Sequence, residues 1–97
     1  MRRIARVDDN QVEIVKALRA VGATVQPLHA VGDGCPDLLV GFRQKNYLIE
    51  VKDGSKSPSR QVLTHDQRQW HAMWAGQRHV ARDIHEALHI IGGGNDQ

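Results

Sequence analysis

Apolar residues recur along this chain at two spacings, one typical of helices and one typical of strands. Helical spacing predicts a first helix that begins at Asp8 or Asp9 and ends near Gly22. Its core-facing stripe is predicted to consist of Val12, Val15 and Leu18. A first strand is then expected at 24–29, before the glycine-rich turn 32–34.

The next two apolar runs, 37–42 and 47–52, predict a hairpin around a short polar stretch. Residues two apart on a strand share a face, so Glu50 and Lys52 project together while Val51 faces the interior. Asp37 is expected opposite Glu50, with 42–45 as the loop, or opposite Lys52, with 44–45 as the loop. Both loops have an even length, because a one-residue slip would move Asp37 to the other face.

The second half of the chain continues with a connection, a helix, a strand and a last helix. The Gly-, Ser- and Pro-rich segment 53–61 indicates a mobile loop beside the carboxylates, or a plain solvated connection. The next helix opens near Thr64, and its aromatic and methionine side chains are predicted to face the core: Trp70, Met73 and Trp74. A strand at 79–81 and a helix from Asp83 to Ile91 complete an αβββαβα order.

Length and composition predict one α/β domain over 1–92, with 93–97 as a disordered tail, since 97 residues support a single core. The net charge of +2 makes the chain mildly basic. A single cysteine, Cys35, excludes an internal disulfide and is typical of a reducing, cytoplasmic setting. No secretory signal is evident, and no apolar run approaches the roughly 20 residues of a membrane span.

The carboxylates and lysine of the hairpin suit phosphodiester hydrolysis. Mg²⁺ binds oxygen ligands and retains several waters, so Asp37, Glu50 and the Val51 carbonyl form a sufficient ligand set. Lys52 would position or activate the attacking water. Taken singly, Asp37 reads as a turn residue and the Glu50 and Lys52 pair as a solvent-facing pair, but their common register favours a site.

Three further features each have more than one interpretation. Gln67 follows Thr64 at capping-box spacing, and helix capping and a role at the site do not exclude each other. The sequence from His85 to His89 matches H-E-x-x-H, but a zinc enzyme needs a third ligand, so an amphipathic helix is the favoured interpretation. The two tryptophans are expected in the core or a subunit contact in preference to a base-stacking platform.

Two short motifs and their order resemble a known nuclease family. Pro36-Asp37 and Glu50-Val51-Lys52 resemble the PD-(D/E)XK signature, and the addition of Leu63-Thr64-x-x-Gln67 resembles its VRR-NUC branch. The resemblance covers nearly the whole chain. It implies a restriction-endonuclease-like core with a small mixed sheet flanked by helices.

The same resemblance implies a DNA endonuclease that uses Mg²⁺ or Mn²⁺. Asp37 and Glu50 would be metal ligands, and Glu13 of the first helix would complete the metal site. Lys52 would be catalytic, together with the nearby Gln67. Stand-alone members, often encoded by phages or bacteria, resemble Holliday junction resolvases and act as homodimers on branched DNA. Lys56 and Arg60 are the expected DNA contacts in the loop after Lys52. A flap or nicking nuclease, or a non-catalytic DNA-binding module, is the alternative.

Overall fold

The computed structural model describes residues 8–92, so the predicted tail at 93–97 lies outside the described residues. Across this described range, seven main elements follow one another in the predicted αβββαβα order, with a short 3-10 turn at Pro58–Arg60 before the second helix. They are α1 (Gln11–Ala20), β1 (Thr24–Pro27), β2 (Leu38–Phe42), β3 (Lys45–Val51), α2 (His65–Met73), β4 (His79–Ala81) and α3 (Ile84–Ile90). Within 8–92, no helix combines the length and apolar character needed to cross a bilayer.

The strands form one mixed sheet in the order β1-β2-β3-β4. The first three strands are antiparallel neighbours, and β4 runs parallel to β3. The crossover from β3 to β4 contains α2, as a parallel pair requires a long connection. The predicted α/β class with a small mixed sheet is therefore confirmed.

The main core lies between one face of the sheet and the helices α1 and α3. Leu38, Val40, Ile49 and Val51 project from β2 and β3 onto this face and are fully buried. Side chains alternate along a strand, so the residues between and beyond them, Glu50 among them, face the opposite side. That second face carries α2 and a polar cluster, which consists of Asp37, Glu50, Lys52 and the α2 residue Gln67.

The start of α1 differs from the prediction. Asn10 is the N-cap, and its Nδ2 donates to the carbonyls of Lys52 (3.1 Å) and Arg82 (3.0 Å), which ties the helix to the ends of β3 and β4. Ile14 and Leu18 are buried, whereas Val12 is 76% exposed. The buried stripe begins with polar Gln11, which a search for apolar spacing overlooks.

The hairpin has the first of the two predicted registers, with a shorter turn than was predicted for it. Phe42 still pairs with Lys45, so only Arg43 and Gln44 form the loop. Both have positive φ (52° and 71°), the geometry of a type I′ turn that favours Asn-Gly. Backbone pairing does not require apolar side chains, which explains why the polar stretch joined the strand.

Helix α2 does not contribute the predicted residues to the core. Met73 is 83% exposed, Trp74 is 45% exposed and Trp70 is half-buried. This helix lies over the sheet face that holds the polar cluster, so its contacts with the sheet include the polar side chain of Gln67. The turn before β2 packs closely on α2, because a Cβ at Gly34 would collide with the backbone of Asp66.

The connection 53–61 is organised by local hydrogen bonds. Asp53 Oδ1 accepts hydrogen bonds from the backbone N–H (2.9 Å) and the hydroxyl (2.6 Å) of Ser55. Gln61 Nε2 donates to the carbonyl of Lys56 at 2.7 Å. The segment thus starts and ends in defined turns beside the end of β3.

Candidate active site

Asp37 and Glu50 lie opposite each other where β2 begins and β3 ends. The register pairs Leu38 with Ile49, so its next position pairs Asp37 with Glu50. This is the first of the two predicted registers, and it confirms the juxtaposition expected from an even loop. Glu50 is only 1% exposed, whereas Asp37 is half-buried, so the pair lies at the edge of the solvent with Glu50 on its buried side.

Asp37 also fixes the backbone of Val51. Its Oδ2 accepts a hydrogen bond from the Val51 N–H at 2.7 Å. In the antiparallel register Val51 would face Pro36, which has no N–H to donate. The N–H and C=O of a strand residue point towards the same neighbouring strand, so the Val51 carbonyl also points towards Asp37. Pro36, the residue opposite Val51, offers this carbonyl no backbone N–H.

Gln67 links Glu50 to Lys52. Its Nε2 donates to Glu50 Oε2 at 2.9 Å, and its Oε1 accepts from Lys52 Nζ at 2.8 Å. The same Oε1 accepts from the Thr64 N–H at 2.9 Å, while Thr64 Oγ1 accepts from the Gln67 N–H. One side chain therefore completes the capping box of α2 and joins the polar cluster, as both interpretations of the motif allowed.

The electrostatics of the carboxyl pair favour a bound cation. Burial, followed by the nearby charge of Asp37, raises the pKa of Glu50 to about 9. Burial also raises the pKa of Asp37, although the Val51 N–H and Lys52 oppose that shift. Two carboxylates this close cannot both ionise at low cost, so a proton or a cation is favoured between them.

A divalent cation fits these residues. Within 8–92, Glu50 Oε1 is a buried carboxyl oxygen that accepts no hydrogen bond. Together with Asp37 and the Val51 carbonyl it offers the oxygen ligands that Mg²⁺ and Mn²⁺ take, with waters in the remaining positions. No three His, Cys, Asp or Glu side chains in the described range lie close enough to hold a metal on their own. The ligand set would thus depend on the backbone and on water.

Glu13 does not join this cluster, contrary to the prediction. It is exposed on α1 and lines a separate surface depression with Asn10, Asp53 and Asp83. The acid from this end of the chain that does act on the site is Asp8, whose charge raises the pKa of Glu50. Asp8 precedes the helix, and a search for a helical glutamate misses it.

His29 is a second residue that sequence reasoning did not assign to the site. It follows β1, and its charge lowers the pKa of Asp37. The Leu28 N–H donates to the carbonyl of Asp37 at 2.7 Å and holds this turn next to the acid. The only signal in the sequence was the position of a histidine at the end of a strand that pairs with β2.

No protein-family model matches this chain, and no curated protein matches it significantly. Among solved structures, a chain titled "VRR_NUC domain" matches with a TM-score of 0.62 and 23% identity, over 87% of this chain and 91% of that one. This chain has the fold of a VRR_NUC domain.

The two basic residues predicted to bind DNA lie in the connection that follows β3 of this VRR_NUC fold. Lys56 forms an ion pair with Asp9 at 3.0 Å, and Arg60 is exposed at the end of the 3-10 turn. Asp9 is 78% exposed, so the ion pair is largely solvated and contributes little stability. Lys56 can therefore exchange this partner for a phosphate at small cost.

The H-E-x-x-H sequence has a structural role in this VRR_NUC fold. His85 and His89 are exposed on α3, with ring centroids 6.5 Å apart. Glu86 Oε1 accepts a hydrogen bond from the Arg82 N–H at 2.8 Å, and Asp83 caps the helix. The favoured interpretation, an amphipathic helix with outward histidines, agrees with these positions.

Proposed function

We propose that this protein is a DNA endonuclease that requires Mg²⁺ or Mn²⁺. The observation that carries the proposal is buried Glu50 facing half-buried Asp37, with a Glu50 oxygen that accepts no hydrogen bond from residues 8–92 and a lysine held beside it by Gln67. A structural ion pair would satisfy all of its buried oxygens, whereas this arrangement leaves one available to a ligand. The VRR_NUC fold supports the same proposal.

Each residue has a defined role in this proposal. Asp37, Glu50 and the Val51 carbonyl hold the cation, which when bound supplies neutralisation of the charge on the phosphate and acidifies the attacking water. Lys52 is 7% exposed, and its ammonium is held by Gln67 on the same face as Glu50. There it orients the water and donates to a phosphate oxygen. Gln67 keeps Lys52 and Glu50 at a fixed separation.

DNA binding is proposed to involve the connection after β3. Lys56 and Arg60 contact phosphates on one side of the acids, so their replacement by alanine should weaken binding. Each lost phosphate contact should also reduce the log–log salt slope by up to about one unit. An intracellular location belongs to the same proposal and is supported by the free cysteine, which is typical of a reducing compartment.

Selectivity for branched DNA and action as a homodimer belong to the same proposal. A domain of this size covers few phosphates alone, whereas a two-fold pair presents two sites to the related strands of a four-way junction. Sedimentation velocity with and without a junction tests this point. A strict monomer in both conditions would contradict it and favour a flap or nicking nuclease.

The decisive experiment measures cleavage of four-way junction, flap, nicked, duplex and single-stranded DNA with Mg²⁺, with Mn²⁺ and with EDTA. Asp37→Asn, Glu50→Gln and Lys52→Ala should each abolish cleavage while circular dichroism stays unchanged. Glu13→Gln is the matched control and should cleave normally, because Glu13 lies outside the cluster. Cleavage in EDTA, or by Asp37→Asn, would refute the proposal. DNA binding without cleavage by the unaltered protein would favour the non-catalytic module.

A further inference from the structure

The sheet face that carries the acids continues into an apolar groove. We call it the tryptophan groove; its main walls are Leu28, Leu39, Leu48, Trp70 and Trp74, with Cys35 at the end nearest the acids. Its volume is about 770 Å³, within the range of small-molecule sites. The predicted core position of the tryptophans is thus replaced by an exposed aromatic wall.

The groove and the acids are consecutive positions on the same two strands. Leu39 pairs with Leu48, and Asp37 and Glu50 are the next residues on that face, two positions along each strand. Two strand residues span about 7 Å, which is the scale of one nucleotide. A chain that places a phosphate at the acids therefore brings its neighbouring nucleotide over the groove.

Helix α2 covers both parts of this face. Gln67 touches Glu50 and Lys52, and Trp70 and Trp74 follow at i+3 and i+7, about 4 and 10 Å further along the axis. The two indoles stack at a centroid distance of 4.6 Å and an angle of 15°. A Cβ at Gly76 would lie 2.9 Å from Trp74 Nε1, so this residue must be small for the ring to keep its place.

The chemistry of the groove fits a nucleobase better than a phosphate. Of the described residues that line it, only Asp33 is charged, and its charge repels phosphate. Stacked indoles offer a π-face to any base, and the amides of Asn46 and Gln77 lie at the rim. A two-fold symmetric contact would set this concave groove against the same groove of a second copy. Neither copy would then supply a protruding side chain to fill the other's groove, so a base is the better occupant.

We propose that the tryptophan groove binds an unstacked nucleobase next to the scissile phosphate, so that the substrate class is DNA with unpaired nucleotides at the cleavage point. This inference rests on the proposed nuclease function and specifies its substrate. Removing a base from a duplex costs a few kcal/mol, and an already unpaired nucleotide avoids this cost. Single strands and branch points are therefore preferred to continuous duplex.

The test uses the full chain in EDTA, so that it is independent of cleavage. Both of the chain's tryptophans line the groove, so tryptophan fluorescence reports on binding at or beside it. A single-stranded oligonucleotide should quench the fluorescence, whereas an abasic oligonucleotide of the same length and a continuous duplex should not. Equal quenching by the abasic strand would overturn the proposal.

Variants give the second arm, read by anisotropy of a labelled oligonucleotide. Trp74→Ala should raise the Kd for single strands roughly 5- to 150-fold, and Trp74→Phe should raise it less. Met73→Ala is the control, since Met73 is exposed on the same helix but does not line the groove. An unchanged Kd in a folded Trp74→Ala protein would refute base binding in the tryptophan groove.

Two further outcomes separate this inference from its alternatives. A Trp74→Ala protein that loses only its dimeric state would show that a second copy occupies the groove, against the proposal. Quenching by single strands in a protein that never cleaves any DNA would keep the groove and reject the nuclease function. Cleavage without quenching would support the nuclease function and reject base binding in the tryptophan groove.

Discussion

Glu50→Gln should stabilise the metal-free protein at neutral pH although it removes a proposed catalytic residue. The pKa of Glu50 is raised from 4.5 to about 9 in the folded chain, chiefly by burial. Between these values the folded state holds a proton that the unfolded state has released. The free energy of unfolding therefore falls as the pH rises through this window.

The size of the effect follows from the shift. Each pH unit above 4.5 lowers the free energy of unfolding by about 1.4 kcal/mol, so the loss of stability at pH 7 reaches about 3 kcal/mol. Glutamine cannot ionise, and its carbonyl still accepts the hydrogen bond that Gln67 Nε2 donates to Glu50 Oε2. The variant should therefore gain up to about 3 kcal/mol at pH 7, or roughly 12–24 °C in Tm for a domain of this size.

Thermal and urea unfolding in EDTA between pH 4.5 and 9 measures this gain. Glu50→Gln and the unaltered protein should have similar stability near pH 4.5 and diverge as the pH rises. Glu13→Gln is the control and should follow the unaltered protein, because Glu13 is exposed. Equal stability of Glu50→Gln and the unaltered protein at pH 7, with parallel pH profiles, would refute the raised pKa of buried Glu50.

Three further experiments test how the fold positions the site. Arg43→Asn with Gln44→Gly should raise the free energy of unfolding by about 1 kcal/mol or more in urea titrations, because both positions have positive φ; no gain would refute this account of the turn. Thr64→Ala should cost about 1 kcal/mol by the same measurement yet retain DNA cleavage, since only the cap is lost; complete loss of cleavage would contradict the separation of roles. Gly34→Ala should cost more than Gly32→Ala in thermal unfolding, since both have positive φ but only Gly34 abuts α2; equal losses would argue against that contact.

The sequence by itself determined the order of the elements and the face of the hairpin that carries the acids, while two registers remained open. Strand periodicity places Glu50 and Lys52 on one face, and an even loop places Asp37 on the same face. These are local properties, since alternation and loop parity depend on chain geometry and hardly on distant contacts. The Thr64 and Gln67 spacing was local in the same way, and it predicted the capping box.

Tertiary structure decided which face of each helix is buried. Val12 and Met73 are exposed, whereas polar Gln11 is buried, because the rotation of a helix is set by the sheet it covers. Apolar spacing alone gives a stripe but not the nature of the surface opposite it. Helix α2 faces a polar cluster, so its tryptophans remain partly exposed beside the acids.

Long-range folding also decided which charges act on the site. Glu13 has the expected residue type and helix, but α1 directs it to a different depression. Asp8 and His29 influence the carboxyls although no motif surrounds either residue. Coulombic effects depend on distance through space, and the distance between residues far apart in sequence is fixed only when the sheet and its helices have packed.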